Sequence, residues 1–278
     1  MGSWSKIRDP QYSQISSRSG VSIVADIRLR RFRGGSIFAS GGLLRAGLDV
    51  SGMNGGGTET AKRRAGESAA ATVESGAVVG LGTGSTAAHA IDRLGERVDA
   101  GLDIAGIPTS YQARRRAREA GVPLTSLAEA TPDVAIDGAD QVAGGDLIKG
   151  GGAAHAREKV VDAAAGELLV VIDPTKEAET LDAPVPVAVL PDARPTVAAA
   201  VREYSGNPTL REARRKDGPV VTDNGNLVLD CDFGAVADPG ELAGTLAGTP
   251  GVVEHGLFVG IADEIHLGSD ESVAVRRV

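Results

Sequence analysis

The sequence predicts an α/β fold: a Rossmann-like domain on a mainly parallel sheet, joined to a second, smaller α+β domain of ferredoxin-like order. Three observations predict it. Between residues 58 and 183, short apolar runs alternate with helix-period segments, the signature of βαβ units. After Pro184 the order becomes β-α-β-β-α-β, the split βαβ arrangement. Glycine-rich and polar motifs follow the apolar runs of the first part, at the carboxyl ends where open parallel sheets bind ligands.

Taken in order, Thr58 or Thr60 caps a helix whose alanines recur at 61, 65 and 69 and which stops by Gly76. Residues 77–81 are apolar and short enough for a buried strand, and Ala87, Ala90, Ile91, Leu94 and Val98 share one helical face. Residues 103–107 read as a strand, and Ser110 caps an arginine-rich helix ended by Gly121. A third strand at 134–136, a helix at 153–165 closed by Gly166 and a strand at 168–172 complete the first part. In the second part, strands are expected at 185–190, 210–215, 219–221, 227–230 and 252–258, with helices at 196–204 and 241–246 and a turn at Asp223-Asn224-Gly225. Residues 261–267 return to the first sheet. The expected organisation is an extension at 1–57, a catalytic domain from 58–183 plus 259–278, and a small domain at 184–258.

Charge separates the head from the rest. The net charge of -8 is the sum of a basic head, 8 Lys/Arg against 3 Asp/Glu in residues 1–58, and a body with 21 against 34. A body at -13 repels phosphate backbones, which argues against nucleic acid as a partner. No apolar run approaches the ~20 residues that span a bilayer, so no membrane partner is expected. Cys231 is the only cysteine and the four histidines have no zinc-ligand spacing, which fits a reducing cytoplasm. Residues 1–52 admit three readings: a transit peptide, a flexible basic arm, or upstream sequence translated from an early start. Met53, at the charge break, is the favoured start. Only five lysines follow it, and an acid-rich, lysine-poor surface suits a high-salt cytoplasm.

The motifs carry the chemistry. Thr83, Gly84, Ser85 and Thr86 open a helix, so free backbone N–H groups and hydroxyls face an anion; a tight turn that merely needs glycine explains them equally well. No lysine follows as in a Walker loop. Asp137, Gly138, Ala139 and Asp140 put two carboxylates at a strand end, which alone is a solvated turn as readily as a site. Lys149, Gly150, Gly151 and Gly152 add a cation and open backbone donors beside them. Glu158 shares a helical stripe with Ala154 and Val161, so it is either a surface residue or a buried base. Asp173-Pro-Thr-Lys176 closes the fourth strand.

GLGTGST, GIPTS, DVAIDGAD, LIKGGGAAHAREKVV, VIDPTK, VTDNGNLVLDCDF and PGVVEHGLF, in this order, resemble the motifs of type A ribose-5-phosphate isomerases, from about Ala61 to the C-terminus. The resemblance implies interconversion of D-ribose 5-phosphate and D-ribulose 5-phosphate in the pentose phosphate pathway. It implies no metal or organic cofactor, a phosphosugar as the small-molecule partner, and a homodimer or homotetramer. It makes Glu158 the general base and Asp137 the ring-opening group, with Lys149 stabilising the enediolate. Thr83 to Thr86, Asp137 to Asp140 and Lys149 to Gly152 then hold the substrate, with Lys176 and Lys62 at its phosphate. Two positions depart from the family pattern: Gln141, where Glu is usual, and His255, where Asn is common. The rivals are a non-catalytic phosphosugar sensor of the same fold and an acyl-CoA transferase on a related one. A sensor needs a DNA-binding module that the head does not resemble and has no use for Glu158 beside both aspartates; a transferase places its glutamate in a different glycine context.

Overall fold

The computed structural model describes residues 57–278; the basic head and the Met53 start lie outside the described residues. Helix α1 (Glu59–Ala71) starts at Thr58, whose hydroxyl accepts the Ala61 N–H at 3.0 Å, and buries Ala61, Ala65 and Ala69. Strand β1 (Val78–Leu81) leads into α2 (Ser85–Asp99), which buries Ala87, Ala90, Ile91 and Leu94 on one face. β2 (Ala105–Pro108) is followed by α3 (Tyr111–Glu119), capped by Ser110. β3 (Val134–Gly138) ends in the aspartate motif.

A hairpin of β4 (Gln141–Ala143) and β5 (Asp146–Ile148) then intervenes, where no strands were expected. α4 (His155–Ala164) and β6 (Glu167–Ile172) close the first part. The second part runs β7 (Val185–Val189), α5 (Arg194–Glu203), β8 (Asn207–Leu210), β9 (Leu227–Asp232), α6 (Pro239–Ala247) and β10 (Val252–His255). β11 (Leu257–Phe258), β12 (Glu264–Gly268) and β13 (Val273–Arg277) complete the chain.

Six strands form the main sheet in the order β13-β12-β6-β3-β1-β2, all parallel except β13 at its edge. Four more, β10-β7-β9-β8, form an antiparallel sheet whose order matches the ferredoxin-like expectation. β11-β5-β4 make a third, small sheet. β6 is buried on both faces: Leu169 and Val171 pack with α1 and α2, while Leu168, Val170 and Ile172 pack with Phe258 and Ile265.

Three element expectations are corrected. The strand placed at 210–215 lies earlier, at 207–210, because Pro208 sits on an edge strand, where its missing N–H leaves no ladder bond unmade. Residues 219–221 make only isolated bridges, Glu212 with Pro219 and Val221 with Leu227. The run 252–258 breaks at Gly256 and serves two sheets, β10 pairing with β7 and β11 with β5.

Candidate active site

The carboxyl ends of β1, β3 and β6 converge on one cleft. Beyond β1 the chain enters α2 through Gly84, whose φ of +119° lies in the region that favours glycine. No side chain caps α2, so its first-turn N–H groups remain available to an anion, with the positive end of the helix behind them. Two residues earlier, a Cβ on Gly82 would collide with the Asp137 carboxylate, so only glycine lets β1 and β3 end side by side here. Asp137 Oδ1 accepts the N–H of Thr83 at 3.0 Å and its neighbour Gly138 at 2.7 Å. Thr83 Oγ1 lies 2.8 Å from Thr109 Oγ1 and donates to Ser110 Oγ at 2.7 Å, so the residues after β2 brace those after β1.

On the floor of the cleft, Asp137, Lys149 and Glu158 are 1%, 2% and 4% exposed. Lys149 Nζ stands 3.0 Å from Asp137 Oδ2 and 3.5 Å from Glu158 Oε2, and donates to the Gly138 carbonyl. The unexpected hairpin carries this lysine: β5 ends at Ile148, and the Lys149 N–H donates to the Gly256 carbonyl at 2.8 Å. Burial pushes the Glu158 carboxyl well above its ordinary range, against the pull of Lys149. Burial alone would lower Lys149, but the carboxylates of Asp137 and Glu158 outweigh it and keep the ammonium charged.

Thr83, Gly84, Ser85, Thr86, Gly138, Ala139, Asp140, Lys149, Gly150, Gly151, Gly152, Glu158 and Lys176 all line this cleft, and Asp137 lies beneath it. Lys176 reaches it from a 3-10 turn, Pro174–Lys176, which Asp173 caps through the Thr175 N–H at 2.9 Å. Lys62 is the exception. It sits on α1, paired with Glu59 at 2.9 Å, and is absent from the cleft lining.

Sequence reasoning missed several residues. Gln112, the second residue of α3, lines the cleft. Arg211, just beyond β8, donates to the carbonyls of Gly150 at 2.8 Å and Gly151 at 3.1 Å, while its Nε donates to Asp230 at 2.8 Å. Asp140 accepts the Gly151 N–H at 2.6 Å, so the glycine run is held from both sides. No local signal could have linked Arg211 to a loop 61 positions away. The two departures have structural roles. Gln141 accepts the N–H groups of Asp182 and Ala183 at 2.8 and 2.9 Å, and His255 Nδ1 is buried 3.2 Å from Lys159. Burial pushes His255, and His155 at the start of α4, down to about 4.

A water-shielded carboxylate, a fixed ammonium and an open helix N-terminus together suit proton transfer on an anionic substrate. The family model described as ribose 5-phosphate isomerase A (phosphoriboisomerase A) matches residues 105–272. A Natronomonas pharaonis protein named ribose-5-phosphate isomerase A is 70% identical over 221 residues, covering 80% of this chain and 98% of that one. Its namesake from Haloarcula marismortui is 66% identical over 224 residues, covering 81% and 98%. The solved ribose 5-phosphate isomerase A of Methanocaldococcus jannaschii superposes with a TM-score of 0.77 at 40% identity, covering 80% of this chain and all of that one. A D-ribose-5-phosphate isomerase solved in complex with phospho-erythronic acid gives 0.78 at 40% identity, with the same coverage.

Proposed function

The chain belongs to the ribose-5-phosphate isomerase A family, and from that premise we propose which of its residues perform the reaction. The protein is an enzyme that interconverts D-ribose 5-phosphate and D-ribulose 5-phosphate. The substrate phosphate binds the first-turn N–H groups and hydroxyls of Ser85 and Thr86, with Lys176 opposite. Asp137 moves the proton that opens the furanose ring. Glu158 then takes the proton from C2 of the open aldose and delivers it to C1 of the resulting cis-enediolate, so one carboxylate serves both carbons. Lys149, with N–H groups of the glycine run, holds the negative charge that develops on the oxygens.

The observation that carries this reading is Glu158: a carboxylate 4% exposed, on the floor of a cleft, 3.5 Å from a buried lysine. Such a group is costly to bury, and its basicity is raised where proton abstraction requires it. An enzyme-linked assay with ribose 5-phosphate tests it. Glu158→Gln should lose about 10²–10⁴-fold in kcat with KM much less changed; a variant with parental turnover sinks the assignment.

The same reading places the enzyme in the pentose phosphate pathway and in the cytoplasm, supported by the lone, buried thiol of Cys231. It also makes the enzyme a homodimer or homotetramer, supported by the family resemblance. Light scattering on purified protein checks this, and a monomer at micromolar concentration contradicts it. The phospho-erythronic acid of the related complex is itself a phosphorylated sugar acid, and its carboxylate resembles the enediolate in charge; tight binding of that compound is expected here.

A further inference from the structure

Four ionisable side chains, not three, meet on the floor of the cleft. Asp162 lies one turn beyond Glu158 on α4 and is 3% exposed. Neither of its oxygens has a hydrogen-bond partner among the described residues, whereas Lys149 Nζ stands 3.0 Å from Asp137 Oδ2. Lys149 pairs with Asp137 and Glu158, and no cation among the described residues pairs with Asp162. Three carboxylates around one ammonium would leave two uncompensated negative charges away from water, a state that takes up a proton instead. Asp137 and Glu158 each have the Lys149 ammonium within 3.5 Å. Asp162 has no such contact; α4 packs on β3, so its side chain interacts with Asp137 at the end of that strand, and two carboxyl groups form a hydrogen bond only when one of them carries the proton.

We propose that Asp162 is a positioning residue for the isomerisation: as a neutral carboxylic acid it donates to Asp137, holding that carboxylate beside Lys149 and keeping Glu158 in its basic form. The proposal rests on the assignment of Asp137, Lys149 and Glu158 as the working groups. Burial, and after it the Asp137 charge, pushes Asp162 well above the ordinary aspartate range, in keeping with a retained proton. Asp137 of β3, Lys149 beyond β5 and Glu158 of α4 itself are the charged groups that act on it. Of the other strands packed on α4, β6 presents apolar residues from Leu168 to Ile172, and on β10 Glu254 and His255 engage Lys159 instead.

Infrared difference spectroscopy of substrate-free enzyme at neutral pH, parent minus Asp162→Asn, is the direct test. A carbonyl band of a protonated aspartic acid should be present in the parent and lost in the variant. Kinetics should follow: Asp162→Asn, whose amide can still donate to Asp137, keeps kcat within about threefold, and Asp162→Ala loses about tenfold or more with KM nearly unchanged. Parental kcat in Asp162→Ala overturns the proposal, as does equal damage in both variants, which would mean the ionised form is needed. Should neither variant fold, parent enzyme labelled with carboxyl-13C aspartate decides by NMR: one aspartic carboxyl must stay protonated through pH 7, and complete titration by pH 6 refutes the idea. Spectroscopy on resting enzyme is independent of the base assignment. An active Glu158→Gln would therefore remove Glu158 from its role without bearing on where the proton sits.

Discussion

Glu158 works against its surroundings: burial favours its protonated form, while the reaction needs it ionised. The consequence is a pH profile with a definite sign. Below its raised pKa the base is occupied by a proton, so kcat/KM should climb as pH rises through a value above the ~4.3 of an ordinary glutamate. A plot of kcat/KM against pH, which reports the free enzyme, checks this; an acid limb at or below that ordinary value contradicts it. Stability takes the opposite sign. Between the ordinary and the raised value the folded protein keeps a proton that the unfolded chain has released, so this group's contribution declines as pH rises through that window. At residue scale, Asp137 was legible because its motif follows a strand and Lys149 because a glycine run follows it, whereas Glu158, ambiguous on its helix, was assigned only through the family resemblance. Asp162 was not legible. One helical turn past Glu158 an aspartate reads as a surface residue, and only the packing of α4 against β3 and β6 shows that this turn faces inward.

The glycine run Gly150–Gly152 is an element without side chains of its own, so its shape is imposed by its neighbours. Asp140 holds the Gly151 N–H, Arg211 holds the Gly150 and Gly151 carbonyls, and Asp230 holds Arg211. Arg211→Ala should release the carbonyl side of the run, lowering kcat/KM about tenfold, or ~1.4 kcal/mol, through the lost charge-assisted bonds. Arg211→Lys should recover only part of this, because an ammonium cannot fork between two carbonyls and a carboxylate. Steady-state kinetics on both variants checks the order; equal activity of all three proteins contradicts it. Most elements were readable because their apolar period ran long enough to distinguish 3.6 from 2. β4 and β5 were not, since three residues show no period, and it is their pairing with β11 that makes them strands. Neither was the break at Gly256, where apolar character continues while the hydrogen-bond partners change from β7 to β5.

Across residues 59–278, 21 basic residues face 34 acidic ones, and the few lysines are committed to specific partners. Lys149 is buried between Asp137 and Glu158, Lys176 lines the cleft, Lys159 pairs with Glu254 and Lys62 with Glu59. Exposed pairs such as Arg63–Glu67, Arg93–Glu96 and Arg115–Glu119 offset part of the remainder, each worth only ~0.3–0.5 kcal/mol. The uncompensated carboxylates repel one another most in the compact state, where they are closest. Mobile ions screen exposed charges within about 10 Å at 0.1 M and about 3 Å at 1 M, while the buried Lys149 cluster is screened far less. Added potassium chloride should therefore stabilise the fold without dissolving the site: the unfolding midpoint should rise by several degrees between ~0.1 M and ~2 M salt, with kcat retained. Differential scanning fluorimetry over that range, repeated with a neutral osmolyte at matched osmolarity, separates screening from general exclusion. A midpoint that is flat in salt, or that rises equally with the osmolyte, would show that the charge excess of the body does not limit its stability.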